Sequence, residues 1–158
     1  MSSFCGMVSE KSDYLRYTNI NSDGAQQMRA PARKRPLARV LSAVPEGTDL
    51  ASLAHHARYV GSPEHKSAPS FAGPPRPRAD ATICDHSLNS RQKEITTWLR
   101  TALIRGAVGA PWEGSFPRYA WFRQGETVYE ARLVNHEKGE YKGYPLGPDE
   151  WPKGLDEP

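Results

Sequence analysis

The chain has 158 residues, 37% of them hydrophobic, with 14 prolines, 13 glycines and a formal net charge of +3. That is room for one domain and a tail, with too many loop formers for the whole length to pack. There is no apolar run long enough to span a bilayer, no charged-then-apolar leader and no cysteine framework beyond Cys5 and Cys84, so the sequence reads as cytoplasmic, with no membrane association.

Residues 1–35 are polar and aperiodic and end in a basic cluster, Arg29, Arg33, Lys34 and Arg35. Such a segment buries too little apolar surface to offset its ordering entropy, which predicts a disordered basic leader before a single domain over 36–150. The charge follows the same division: residues 1–79 carry 11 Lys/Arg against 6 Asp/Glu, and 80–158 carry 10 against 12. Any attraction to a polyanion is therefore expected mainly from the first half.

Leu37 to Val44 is a short apolar run, a helical turn or a strand, closed by Pro45. Thr48 then caps a helix with Asp49 in its first turn; Leu50, Leu53, Ala54 and Ala57 repeat at helical spacing and Gly61 stops it. His55 and His56 project about 100° apart on such a helix, so at most one of them serves a given site. Residues 62–89 form a Pro/Gly/Ser-rich passage too long for an ordinary connector, and its prolines favour a fixed, functional loop.

The second half is better patterned. Asn89 or Ser90 caps a helix whose apolar stripe is Ile95, Trp98, Leu99, Ala102 and Leu103. Residues 118–135 predict a hairpin turning at Gln124-Gly125, with Tyr119 opposite Glu130. Ala120, Phe122, Tyr129, Ala131 and Leu133 then face the helix, and Tyr119, Trp121, Val128, Glu130 and Arg132 share an open face. A third strand follows over 140–146, and residues 151–158 form an acidic tail in which Trp151 packs back. The fold class is α+β: two helices packed on a small antiparallel sheet.

The chemistry on this scaffold is modest. Cys84, His86 and His65 lack the spacing of a structural zinc site, and phosphate loops, dinucleotide fingerprints and a hydrolase nucleophile elbow are absent, so no metal or cofactor is expected. Glu130 and Arg132 stand about 7 Å apart on one strand face, a spacing that suits RNA cleavage. Glu130 is the expected base toward the ribose 2′-hydroxyl, Arg132 the phosphate clamp, and His65 or His56 the acid. Lys66, Lys142, Tyr119 and Tyr144 are the expected substrate contacts. The competing reading is a non-enzymatic module that holds protein or single-stranded nucleic acid on the aromatics Tyr119, Trp121, Tyr141 and Tyr144.

Two helical segments followed by an antiparallel sheet with Glu and Arg on its open face resemble the small bacterial RNase-toxin group that includes barnase, colicin E5 and RelE. The resemblance is architectural and covers residues 48–146. Gly139–Leu146 and Tyr59–Lys66 look similar to signatures of polymorphic toxins. It implies a metal-independent endoribonuclease acting as a toxin or defence effector, with RNA as substrate and an acidic antitoxin or immunity protein as partner. The acidic C-terminal third departs from the more basic character of such toxins.

Overall fold

The computed structural model describes residues 39–79 and 81–155; the leader expected over 1–35 lies outside the described residues. The architecture is α+β. Helix α1 (Leu50–His56), strand β1 (Arg58–Tyr59), helix α2 (Gln92–Ile104) and strands β2 (Val108–Glu113), β3 (Phe116–Gln124), β4 (Thr127–Asn135) and β5 (Glu140–Pro145) build a five-stranded sheet in the order β1-β5-β4-β3-β2. All neighbours are antiparallel except β1, which runs parallel to β5, so the sheet is mixed.

Asp49, not Thr48, caps α1: its carboxylate accepts from the amides of Ala51 and Ser52, each at 3.0 Å. The Thr48 hydroxyl instead donates to the Pro45 carbonyl. The helix also ends well before Gly61, because α2 captures the chain that follows it. Arg100 donates to the carbonyls of Ala57 and His55, and Gln92 donates to that of Tyr59. Residues 58–59 are thereby left extended for β5. These long-range bonds are invisible to local periodicity, which is why β1 was not expected.

Helix α2 carries its stripe as expected. Leu99, Ala102 and Leu103 are buried, while Trp98 is half-buried and stacks on Phe122 at 5.7 Å between ring centroids. Fully burying a side chain such as Leu103 or Val108 stabilises by about 1.5–3 kcal/mol, so this interface is the main core. The start of α2 shifts to Arg91 because a 3₁₀ turn at His86–Leu88, capped by Asp85, uses the residues immediately before it. Strand β2 was not expected either, since Gly109 and Pro111 break its alternation. Its place at the sheet edge tolerates the proline.

The hairpin register differs from expectation by two residues. Gln124 pairs with Thr127, Trp121 with Glu130 and Tyr119 with Arg132. Gly125, at φ +58°, is the first central turn residue and Glu126 has negative φ, the II′ pattern that matches strand twist. A shift of two preserves which side chains share a face. Beside Glu130, Gly143 of β5 lies so close that a Cβ there would overlap the Glu130 backbone carbonyl.

The second sheet face is not open. Trp121, Val128 and Leu146 form a smaller core on it, covered by Leu41, Trp151 and Leu155. Val40 bridges to Lys153, so the segment entering the domain and the segment leaving it are joined there. Trp151 of the expected tail packs back as read from the sequence, with the Arg123 guanidinium over its ring at 5.0 Å.

Candidate active site

Beside that second core, strands β4 and β5 present charged and aromatic side chains toward the long loop. Glu130 lies at the centre and is 1% exposed. Its Oε2 takes the Arg39 guanidinium and, at 3.0 Å, the Trp121 indole N–H; its Oε1 accepts from the Tyr144 hydroxyl at 2.6 Å. An Arg132 guanidinium nitrogen stands 3.8 Å from the same Oε1. Every lone pair facing the protein is thus engaged, which satisfies a buried carboxylate but leaves it no path to a substrate proton. The expected role of Glu130 as a solvent-facing base does not fit this burial. Its carboxylate instead holds Arg39, Tyr144 and Trp121, with Arg132 alongside.

Arg39 was not anticipated. Burial opposes its charge, yet the bonds to Glu130 hold its pKa above the ordinary value. Burial also raises the Tyr144 hydroxyl, reinforced by its bond to Glu130.

His65 is 6% exposed and stacks on the Tyr144 ring at 5.0 Å and 20°. The Pro63–His65 3₁₀ turn, capped by Ser62, delivers it, and the Cys84 amide donates to its backbone carbonyl. Its Nδ1 lies 3.0 Å from the Thr82 carbonyl oxygen, which can only accept, so Nδ1 carries the proton and Nε2 of the neutral ring bears the lone pair. Desolvation lowers its pKa; the Thr82 bond opposes that, and Arg78 and Lys142 add to the lowering. The ring is therefore a neutral imidazole near pH 7.

The cations close a circuit. Lys142 pairs with Arg132 across β4 and β5, and its ammonium sits 3.7 Å from Glu64, the residue preceding His65. Arg78 reaches the same Glu64 oxygen at 3.5 Å. The Arg132 guanidinium lies over the Tyr119 ring at 5.3 Å, and its Nε is buried with no hydrogen-bond partner among the described residues. Proceeding from His65 to Tyr144, Glu130, Arg132, Lys142, Glu64 and back to His65, each neighbour touches, pairs with or adjoins the next. The long loop thus packs its histidine on the face that holds Glu130 and Arg132.

Two expected residues are not in this group. His56 ends α1, is exposed, and bonds the Ser52 carbonyl; it borders a separate cleft with Trp112, Phe116, Glu137 and Lys138. Lys66 turns away from His65 into the space between α2 and the sheet. Successive side chains of an extended backbone point to opposite sides, and Lys66 is extended at φ −120°, ψ 138°. Among the described residues, no group of three His, Cys, Asp or Glu could hold a metal ion. No described helix is long and apolar enough to cross a membrane. No protein-family model matches the chain, and neither the curated proteins nor the solved structures give a match.

Proposed function

We propose that this protein is an endoribonuclease that cleaves RNA through the ribose 2′-hydroxyl, with His65 as the base. The observation that carries this reading is His65 stacked on Tyr144, whose hydroxyl bonds the same Glu130 oxygen that Arg132 approaches, while Lys142 reaches Glu64, the residue before His65. His65 Nε2 takes the 2′-hydroxyl proton, the 2′-oxygen attacks phosphorus, and the bond to the 5′-oxygen breaks. Arg132, whose guanidinium is partly exposed, carries a non-bridging oxygen whose charge grows in the transition state. The Lys142 ammonium supplies the proton to the departing 5′-oxygen. Side-chain cations fill the electrostatic role, so the reaction is expected to persist in EDTA. A role as a toxin or defence effector, opposed by an acidic partner that masks these cations, belongs to the same reading.

The binding-module reading loses support because two of its four aromatics, Trp121 and Tyr141, are at most 2% exposed and offer no stacking face. An RNA oligonucleotide with one internal 2′-deoxy substitution tests the chemistry. Cleavage is expected at every susceptible linkage except the substituted one, with a cyclic 2′,3′-phosphate product; cleavage at the deoxy linkage would overturn the mechanism.

A further inference from the structure

The long passage between β1 and α2 brings more than His65 to the catalytic face. Pro74, Pro75 and Pro77 restrict its backbone by fixing φ near −65°. The same stretch is tied to the Pro63–His65 turn: the Arg76 amide donates to the Pro63 carbonyl at 2.9 Å and the Arg78 amide to the Glu64 carbonyl at 3.4 Å. Arg78 is thus held beside Glu64, and the cleavage chemistry gives it no task.

The Arg78 Nε stands 3.5 Å from Glu64 Oε2, and the Lys142 ammonium stands 3.7 Å from the same oxygen. The two cationic nitrogens are therefore no farther apart than those distances laid end to end, a separation that neighbouring phosphates of one nucleic-acid strand can match. One carboxylate shared between two cations leaves the group net positive, and all three side chains are about one-third exposed. Beyond desolvation, Arg78 and then Lys142 push the His65 pKa down, so both charges reach that ring. A guanidinium carries five N–H donors in a planar fork suited to phosphate oxygens.

We propose that Arg78 anchors a second phosphate subsite, which holds the phosphate on the 3′ side of the cleaved linkage. The polarity rests on the ribonuclease reading. There Lys142 serves the departing 5′-oxygen, which belongs to the nucleotide on the 3′ side. The 3′-phosphate of that nucleotide comes next along the strand, and Arg78 comes next beyond Lys142 across Glu64. The substrate strand accordingly passes from His65 over Arg132 and Lys142 to Arg78, and the proline-rich passage serves to position this last cation.

The test is binding, not turnover. Three 2′-O-methyl dinucleotides, which cannot be cleaved through the 2′-hydroxyl, are compared at low salt: one with free ends, one with a 3′-phosphate and one with a 5′-phosphate. Each competes with a fluorescent 2′-O-methyl RNA oligonucleotide for the full chain. The 3′-phosphate is expected to tighten binding about 10-fold, the scale of one charge-assisted hydrogen bond, and the 5′-phosphate by less than about 2-fold. R78M is expected to erase the 3′-phosphate gain, while R76M, at an exposed arginine two residues away, keeps it. H65Q keeps the gain too, because holding a phosphate does not need the base. Cleavage of the unmodified dinucleotides is scored separately, so a lack of turnover counts against the ribonuclease reading and not against the subsite. Equal gains from the two terminal phosphates, no displacement, no 3′-phosphate gain, or a gain retained in folded R78M would each overturn the proposal.

Discussion

Arg39 and Glu130, 91 residues apart in sequence, form a buried ion pair on the covered face of the sheet. The pair fixes the entering segment of the domain against the middle of β4, and Glu130 in turn holds Tyr144 and Trp121. One carboxylate therefore links the smaller core to the candidate catalytic face.

Glu130→Gln should destabilise the fold by about 3 kcal/mol, since removing one partner leaves the Arg39 charge buried and unpaired. R39M should cost a similar amount, and the double variant less than the sum of the two, by about 1–3 kcal/mol. Urea unfolding of the three variants measures this. A loss below about 1 kcal/mol for either single variant would show that the pair does not hold the segment in place.

His65 gives a pH dependence with a defined sign. Its folded-state pKa lies below the ordinary 6.5, mainly through desolvation, so between the two values the unfolded chain binds more protons. Above pH 6.5 the residue contributes no slope; as the pH falls below 6.5, stability falls until the folded pKa is passed. Asp85 and Glu94, depressed chiefly by hydrogen bonds to Ser87 and Arg91, also lose stability at acid pH, over a lower range. The informative quantity is the difference from H65Q: its urea midpoint should change less between pH 7 and pH 5 than that of the wild type. Identical slopes would contradict a buried neutral imidazole.

The helix-on-sheet core was legible in the sequence because it rests on local period. The 3.6-residue stripe of Leu99, Ala102 and Leu103, and the two-residue alternation of β3 and β4, are each read within one segment. What escaped was set by partners far along the chain. Strand β1 depends on Arg100 and Gln92 taking the carbonyls after α1. The burial of Glu130 depends on Arg39 and on Trp151 and Leu155 folding back across the sheet. The catalytic candidates divided the same way: His65, Arg132, Lys142 and Tyr144 meet, whereas His56 and Lys66 do not. Arg39 carried no local signal at all; only the rule that a buried carboxylate needs a cation calls for such a residue, and it does not say which.

Leu103→Ala should cost about 2–5 kcal/mol, and Trp98→Ala less, about 2–3 kcal/mol, because Trp98 is half-buried and stacks mainly on Phe122 and Tyr129. Chemical denaturation ranks them. A Trp98→Ala loss exceeding that of Leu103→Ala would mean the aromatic stack, not the buried stripe, dominates this interface.

The catalytic claim is tested most directly by cleavage rates on a fluorescent RNA oligonucleotide in EDTA for wild type, H65Q, R132M and the exposed control His56→Gln. Activity is expected in the wild type and in the His56 variant, with losses of about 100-fold or more in H65Q and R132M while both remain folded. No cleavage by the wild type, or full activity in folded H65Q, would contradict it.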